Sequence, residues 1–343
     1  MGEPRITLSV IIPCFNYEAY VGEAIESVLH QVTPDVEIIV VDDGSSDRSW
    51  EVIQKYSGKI RSIRTENRGS VSACMTGLNL SSGAFIYFLD ADDMLCPGAI
   101  AVVRPYLKPE ISKIQFMLMP IDKVGSVIGE PFPKLDPAAD SRRLIEFIAR
   151  RGSYATPPTS GNVYRRDIYE EAGDLSFEPS AIDGVPYLLA PFMGEVVSID
   201  KPLGRYRIHG SNVSSFTTMT AERIEYCIER FLNRLKHLEA LLAAKKIRRD
   251  FELRTNYAYV GEMKLMGSVA RGQRPPAKLL MPYLRSLMLE QTGLSRVFHA
   301  GFAVLLYALP AGLASKLVVF RVNPSSLRWA RMRMKSLMVT PRS

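Results

Sequence analysis

Three carboxylates follow directly after a short apolar run in the first third of the chain. The run covers residues 85–89, and the acids are Asp90, Asp92 and Asp93. A run of this length predicts a strand buried on both faces of a sheet, which places the acids at its carboxyl end. Carboxylates this close repel one another, and a divalent cation between them removes that repulsion. The spacing therefore favours a Mg²⁺ or Mn²⁺ site with positions open for phosphate oxygens, although a solvated acidic turn would have the same pattern.

A second strand pattern ends in acids in the same way. Residues 36–41 are mostly Val and Ile, and Asp42 and Asp43 follow them. In an open parallel sheet the carboxyl ends of the strands lie at one edge, where ligands bind. Two acidic strand ends at that edge indicate a nucleotide site rather than two unrelated turns. The chain has neither a GxGxxG motif after its first strand nor a GxxxxGK[ST] motif, so a dinucleotide-binding fold and a P-loop NTPase are disfavoured.

Strand and helix patterns alternate four times in the first quarter of the chain. This alternation predicts an α/β fold with a Rossmann-like, mostly parallel central sheet flanked by helices. The strands are predicted at residues 8–13, 36–41, 60–64 and 85–89, and the helices at 18–31, 48–56 and 71–80. Further elements are predicted as strands at 114–120, 196–199 and 203–207 and as helices at 142–151 and 185–193.

From residue 220 the strand signals stop and long helical patterns follow, at 221–246, 251–271 and 278–290. We therefore predict a catalytic domain over residues 1–216 and a helical C-terminal region over residues 217–343. Residues 297–315 contain no Asp, Glu, Lys or Arg, but Gly301, Pro310 and Gly312 interrupt them, which favours an interfacial helical hairpin over a spanning helix or a packed core. The tail that follows is basic, so we expect residues 297–343 to attach to an anionic membrane surface.

Composition sets the broad class of protein. A chain that is 47% hydrophobic and 23% charged is ordinary for a globular protein, and its four scattered cysteines suit a reducing compartment. No basic-then-apolar leader precedes the first strand, so we expect a cytoplasmic protein, peripheral at the inner face of the cell membrane. Much of the net charge of +7 comes from the last quarter of the chain. In the basic tail, Trp329 is the only aromatic residue between the basic ones, and this scarcity of aromatic residues argues against nucleic acid as a partner. The sequence leaves an oligomer possible.

Five motifs, in order, resemble those of the family 2 glycosyltransferases of the GT-A fold. The resemblance covers about residues 7–215, and the C-terminal region lies outside it. The motifs are PCFN at 13–16, VDDGSSD at 41–47, LDADD at 89–93, TSGNVYRR at 159–166 and YRIHGSN at 206–212.

This resemblance implies an enzyme that transfers a sugar from a nucleotide-diphosphate sugar to a hydroxyl, with inversion at the anomeric carbon. Asp43 would accept a hydrogen bond from the base of a UDP- or dTDP-type donor, in a pocket lined by Pro13 and Phe15. Asp90 and Asp92 would form the DxD pair, one toward the ribose or the sugar and one on the metal. Asp93 is a further candidate metal ligand.

The later motifs imply the remaining roles. Asp183, just before an apolar helix, resembles the general base, and His209 resembles a residue of the loop that closes over the donor diphosphate. Gly161 and Asn162 are expected near the acceptor, a glycan or a lipid-linked hydroxyl. The QxxRW motif of the processive synthases is missing, which favours addition of one or few sugars in cell-surface polysaccharide synthesis.

Two departures from the family pattern keep rival interpretations open. Cys74-Met75 stand where many members carry Arg-Asn, and Ile182 replaces the first of two acids. A catalytically silent relative that binds nucleotide sugar or organises a membrane complex fits these replacements. A sugar nucleotidyltransferase should carry a Gly-rich basic loop after the first strand, whereas residues 14–18 are CFNYE.

Overall fold

The computed structural model describes residues 6–175, 177–178, 181–209, 220–247, 253–254 and 256–322. Within these residues, eight strands form one sheet. They are β1 (Leu8–Cys14), β2 (Val36–Asp42), β3 (Arg61–Arg64), β4 (Phe85–Phe88), β5 (Met94–Leu95), β6 (Ile111–Ile121), β7 (Asn162–Arg165) and β8 (Glu195–Arg207). Their order across the sheet is β3-β2-β1-β4-β7-β6-β8-β5.

Helices flank the sheet and make up the C-terminal region. They are α1 (Val21–Leu29), α2 (Ser49–Gln54), α3 (Ser70–Leu80), α4 (Ala99–Val103), α5 (Ser141–Arg151), α6 (Asp167–Glu171), α7 (Pro186–Met193), α8 (Ala221–Ala244), α9 (Ala258–Ala270), α10 (Ala277–Glu290), α11 (Gly293–Ala308) and α12 (Ala311–Val322). Short 3-10 turns occur at Arg104–Tyr106 and Thr159–Gly161.

The position of β1 determines which loops meet. It lies between β2 and β4 and runs parallel to both. The carboxyl ends of β2 and β4 consequently lie at the same edge of the sheet, as the acidic strand ends predicted. Four of the seven pairings are parallel, and β7 pairs antiparallel with both β4 and β6. The predicted mostly parallel α/β sheet is confirmed.

Strands β1 and β2 form because their sequences, LSVIIPC and VEIIVVD, are rich in β-branched residues that fit a pleated surface. Both are buried over almost their whole length, as strands with helices on both faces must be. Helix α3 approaches β1 so closely that a Cβ atom at Gly77 would lie 2.3 Å from Cγ2 of Ile11. Glycine is therefore required where this helix crosses the centre of the sheet.

Strand β8 differs from its prediction. One continuous strand replaces the two predicted at 196–199 and 203–207, because Asp200 and Lys201 bulge out of the register with β6 before Pro202. The prediction ended a strand at the proline, but proline is tolerated at a bulge. Strand β5 was not predicted, since two residues are too few to show a pattern.

Helix α9 is shorter than the predicted helix at 251–271. It begins at Ala258 because Tyr257 has an extended backbone, with φ −113° and ψ 141°. The hydroxyl of Tyr257 accepts the backbone N–H of Arg254 (3.0 Å), which favours a turn ahead of the helix. Residues 251, 252 and 255 of the predicted helix lie outside the described residues.

The chain divides into two compact units. The first consists of Met1–Ile148, Ser153–Val213 and Lys236–Arg249, and it contains the sheet. The second consists of Ala149–Gly152, Ser214–Leu235 and Asp250–Ser343, with a core built on Leu265, Tyr283 and Phe302. The domain boundary between residues 216 and 217 stays a prediction, and residues 210–219 lie outside the described residues.

The apolar stretch at 297–315 is divided between two helices. Helix α11 ends at Ala308, and α12 begins at Ala311 after Leu309 and Pro310. Across the part of the chain that the structure describes, no helix has both the length and the hydrophobicity that a membrane crossing needs. Residues 323–343, the basic part of the predicted membrane attachment, fall outside that part.

Candidate active site

The acids that follow β4 meet at the carboxyl edge of the sheet. One carboxylate oxygen from each of Asp90, Asp92 and Asp93 lies within 4.8 Å of the others. The backbone N–H of Asp93 donates to the carbonyl oxygen of Asp90 (3.0 Å), which closes a tight turn, and the N–H of Asp90 donates to Oγ of Ser160 (3.1 Å). The structure therefore brings the three predicted acids together.

Burial and mutual repulsion oppose full ionisation of this cluster. Burial, with the charges of Asp92 and Asp183, raises the pKa of Asp90 to about 7. Burial, with the charges of Asp92 and Asp90, raises the pKa of Asp93 well above its ordinary value. The buried Oδ2 atom of Asp93 has no hydrogen-bond partner among the described residues. A hard divalent cation would satisfy that oxygen and remove the repulsion, so these side chains fit Mg²⁺ or Mn²⁺.

Arg207, at the end of β8, donates hydrogen bonds to two residues of the cluster. The sequence analysis gave it no role. Its side chain is 1% exposed. The backbone N–H of Arg207 donates to Oδ1 of Asp93, and Nε donates to the carbonyl oxygen of Asp92, both at 2.8 Å. The guanidinium also pairs with Glu23 and lies 4.6 Å from the ring centroid of Tyr20. A fixed positive charge thus holds the turn that carries the acids, and only its place in the 206–212 motif pointed to it.

His209 contacts the same cluster. Its Nε2 atom lies 2.9 Å from Oδ2 of Asp92. The imidazole stacks on Tyr20, with centroids 5.4 Å apart, and meets Tyr17 edge-on at 6.0 Å. Burial, and then the charge of Asp92, raise the pKa of the Tyr17 phenol. Three aromatic rings therefore form a wall beside Asp92; the rest of the predicted donor loop, from residue 210, lies outside the described residues.

Asp43 lies just past the end of β2 and is 2% exposed. Its Oδ1 atom accepts the N–H of Arg68 (3.0 Å), and its Oδ2 atom accepts the N–H of Gly69 (2.8 Å). These bonds fix the turn that leads into α3. A carboxylate has about four lone-pair sites, so the group keeps the capacity to accept a further donor.

The two residues expected to line a base pocket lie in different surroundings. Pro13 is buried in β1 opposite Val41, whereas Phe15 is 41% exposed just past the end of that strand. The adjacent Asn16 has a left-handed backbone (φ 58°), and its Oδ1 atom accepts the N–H of Ser46 (2.8 Å). Asn16 thus ties the turn after β1 to the turn after β2, a role that the sequence analysis did not assign.

Asp183 is half-buried ahead of α7 and is held by two side chains. Nδ2 of Asn162 donates to Oδ2 of Asp183, and the hydroxyl of Thr159 donates to Oδ1, both at 3.3 Å. Asn162, expected on the acceptor side, is 1% exposed. A Cβ atom on Gly161 would lie 2.5 Å from the side chain of Pro157, so glycine lets this turn close. Both residues therefore help to shape the surroundings of Asp183.

One helix position lies near acids from all three loops. Burial raises the pKa of Cys74 in α3, and the charges of Asp90, Asp183 and Asp43 raise it further. Acids from the end of β2, the end of β4 and the loop before α7 therefore all act electrostatically on this one thiol.

Comparison with known proteins identifies the fold and the family. Residues 9–171 match the family model described as Glycosyl transferase family 2. Residues 9–171 belong to this family. An uncharacterized glycosyltransferase of Nostoc sp. is 34% identical over 216 residues, which cover 60% of this chain and 66% of that protein. The chain spans only 26% to 66% of the length of the first curated relatives that it matches.

Solved structures of other proteins have a similar fold. Residues 1–349 of S. aureus TarS, in complex with UDP-GlcNAc, match with a TM-score of 0.52 and 15% identity over 91% of this chain and 90% of that one. The mannosyltransferase PcManGT from Pyrobaculum calidifontis, in complex with GDP-Man and Mn²⁺, matches with a TM-score of 0.50 and 14% identity over 94% of this chain and 86% of that one. At these identities the likeness concerns the fold alone, and it agrees with the GT-A type expected for family 2.

Proposed function

We propose that this family 2 protein is a metal-dependent, inverting glycosyltransferase that moves a sugar from a UDP- or dTDP-type donor to a hydroxyl of a glycan or lipid-linked acceptor. The proposal depends on one observation: Oδ2 of Asp93 has no hydrogen-bond partner in the described part of the chain, and it lies within three clustered carboxylates at the same sheet edge as Asp43. Such a cluster suits a cation that binds a diphosphate. The complexes of TarS with UDP-GlcNAc and of PcManGT with GDP-Man and Mn²⁺ support the substrate class.

Each predicted residue has a role in the donor site. Asp92 and Asp93 hold Mg²⁺ or Mn²⁺, and Asp90 faces the ribose or the sugar. When bound, the ion stabilises the negative charge that develops on the departing nucleoside diphosphate. Asp43 accepts the base N–H, with Pro13 and Phe15 beside it.

His209 keeps the Asp92 carboxylate in place and contributes to the side of the site that faces the diphosphate. Its hydrogen bond to Oδ2 of Asp92 supports this role.

Asp183 is the general base of the proposal. As the acceptor oxygen attacks the anomeric carbon opposite the departing diphosphate, Asp183 takes the hydroxyl proton, and this single displacement inverts the configuration. The bonds from Asn162 and Thr159 hold the carboxylate in place for that proton transfer. One base is sufficient because the transition state is oxocarbenium-like. Gly161 and Asn162 shape the acceptor side.

A thermal-shift screen tests donor binding. UDP-GlcNAc, UDP-glucose, dTDP-glucose and GDP-mannose are each added with Mn²⁺ or with EDTA. Stabilisation grows as RT ln(1 + [L]/Kd), so the donor should raise the unfolding temperature only in the presence of Mn²⁺. If none of the four compounds raises the unfolding temperature, the proposal is contradicted.

Product analysis then distinguishes the rival functions. Mn²⁺-dependent release of nucleoside diphosphate in the presence of acceptor glycans supports transfer, and proton NMR of the new anomeric centre tests inversion. Binding without release from any donor indicates a catalytically silent relative. Release of pyrophosphate indicates a sugar nucleotidyltransferase.

Peripheral attachment at the inner face of the cell membrane, through residues 297–343, is a further part of the proposal. The chain after Glu290 contains eight Lys or Arg residues and no acid, which suits an anionic lipid surface. Large apolar side chains on α11 are exposed in the second unit, among them Leu294 (87%), Val297 (68%) and Phe298 (50%). Exposed apolar and basic groups together are typical of interfacial helices.

Vesicle flotation tests this attachment. The protein should float with vesicles that contain an anionic phospholipid and less with neutral phosphatidylcholine vesicles. The double variant Val297→Gln/Val304→Gln should reduce flotation, whereas Val124→Gln/Val127→Gln, at exposed positions of the first unit, should not. Equal flotation of both double variants contradicts attachment through α11.

A further inference from the structure

Lys113, on β6, has no exposed surface although it is a basic residue. Its Nζ atom donates to three neutral acceptors: Thr156 Oγ1 (2.7 Å), Gln115 Oε1 (2.8 Å) and the Tyr154 hydroxyl (3.3 Å). Burial of an ammonium among neutral groups is costly unless an opposite charge acts on it. Three tyrosine rings also surround Nζ, with centroids 5.0 to 5.9 Å away, those of Tyr154, Tyr164 and Tyr187.

A chain of hydrogen bonds leads from this ammonium to the proposed base. Lys113 donates to Thr156, the Thr156 hydroxyl donates to Oδ1 of Asn162 (3.2 Å), and Nδ2 of Asn162 donates to Oδ2 of Asp183 (3.3 Å). The orientation of the Asn162 amide is fixed, because Nδ2 also lies within hydrogen-bond distance of the carbonyl oxygens of Pro157 (3.1 Å) and Pro158 (3.0 Å), so its two hydrogens are shared among three acceptors. Every donor therefore points from the ammonium toward the carboxylate, and such aligned bonds strengthen one another.

The electrostatics agree with this direction. Burial lowers the pKa of Lys113 to about 7, and the charge of Asp183 opposes that decrease. Burial and then Asp183, among other charges, raise the pKa of Tyr164 and of Tyr169, so Asp183 acts on several neighbours. The titratable groups that face Lys113 or Asp183 from the surrounding elements are Cys74 on α3, Asp90 after β4, Tyr154 after α5, Tyr164 on β7, Tyr169 on α6 and Tyr187 on α7.

We propose that Lys113 is a positioning residue for Asp183, which it holds ionised and oriented through Thr156 and Asn162. The inference rests on the proposed function, because it concerns the base of that reaction. The ammonium favours the ionised carboxylate, and Asn162 engages one of its oxygens. The carboxylate thus stays charged and ready for the proton of an acceptor hydroxyl even though several acids and phenols crowd it.

The test follows the titration of Lys113 itself and needs no substrate. Lysine labelled with ¹³C at Cε is incorporated into the full chain, and the Lys113 signal is assigned as the one that Lys113→Met removes. Its chemical shift is recorded between pH 5 and 10, in the wild type and in Asp183→Asn. Removal of the negative charge at Asp183 should lower the Lys113 midpoint by about one pH unit or more, because opposite charges in a poorly solvated site support each other's ionisation.

A matched control and two contrary outcomes keep the test decisive. Asp200→Asn removes an exposed carboxylate of the same unit and should leave the Lys113 midpoint unchanged. A Lys113 midpoint near that of an ordinary lysine, or one that Asp183→Asn does not move, overturns the proposal. Failure of the donor screen would instead contradict the glycosyltransferase activity, so the two failures are distinguishable.

Discussion

The Nε2 atom of His209 lies 2.9 Å from Oδ2 of Asp92, so the segment after β8 holds an acid of the turn after β4. Groups that orient a metal ligand typically change metal affinity about 10- to 100-fold when they are lost. We expect His209→Ala to weaken Mn²⁺-dependent binding of UDP by roughly that factor, measured by isothermal titration calorimetry. His209→Gln keeps a donor and should lie closer to the wild type. Equal or tighter binding by His209→Ala contradicts this positioning role.

Asp92→Ala should abolish Mn²⁺-dependent binding of UDP, because it removes a proposed metal ligand from the cluster of three acids found among the described residues. Calorimetric titrations with UDP in Mn²⁺ and in EDTA measure the metal-dependent part of the affinity. Asp200→Ala, at an exposed position of the same unit, is the control and should behave as the wild type. Unchanged affinity of Asp92→Ala would refute the assigned role.

Asp183→Asn should keep donor binding and lose transfer. An amide has nearly the shape of the carboxylate but cannot take the acceptor proton, and base assistance contributes about 10²- to 10⁴-fold. We expect kcat to decrease by that factor while the affinity for UDP with Mn²⁺ stays the same. Near-normal turnover of Asp183→Asn would remove this residue as the base, and Asp200→Asn again provides the matched control.

Lys113→Met should stabilise the fold more at pH 7 than at pH 9.5. The pKa of Lys113 is lowered to about 7 in the folded protein, against about 10.4 in an unfolded chain, so unfolding takes up a proton between these values. Below pH 7 the buried lysine lowers the free energy of unfolding by its full amount. This destabilisation decreases as the pH rises above 7 and disappears as the pH passes about 10.4. The difference in unfolding free energy between variant and wild type should decrease by about 1–3 kcal/mol between pH 7 and 9.5, measured by urea unfolding. A difference that is independent of pH contradicts the lowered pKa.

Gly77→Ala should destabilise the protein by about 1–3 kcal/mol, because the new methyl group meets Cγ2 of Ile11 on a strand that cannot move. Gly301→Ala is the control within a helix, α11, where no described atom outside the helix's own nearby backbone lies within 4 Å of the added Cβ. It should instead stabilise by about 0.5–1 kcal/mol, the usual gain from alanine in a helix. Thermal unfolding of both variants measures the two effects, and a stabilising Gly77→Ala would contradict the close packing of α3 on β1.

The acids of the site could be located from sequence because their signal is local. Asp43 and the three acids at 90–93 each follow an apolar run, and parallel strands bring such ends to one edge. Arg207 could not be assigned in this way, because its partner Asp92 is 115 positions earlier in the chain. Nothing in a local pattern distinguishes an arginine that is buried against acids from one in solvent.

Lys113 shows a second limit of sequence reasoning. The predicted strand began at residue 114 because a charged residue precedes the apolar run, whereas β6 begins at Ile111 and includes the lysine. A lysine within a strand usually indicates a face toward water. Here Thr156, Tyr154 and Gln115 provide its acceptors, and those contacts depend on tertiary packing that periodicity does not record.

The bulge at Asp200 and Lys201 determines how far β8 extends. Between Ile199 and Arg207 the chain advances eight positions, while the paired strand β6 advances only five, from Phe116 to Ile121. The bulge and the further register shift that follows it take up the additional residues, as bulges do in a ladder. Arg207 therefore still pairs with Ile121, and from that position its backbone N–H and its guanidinium reach Asp93 and Asp92.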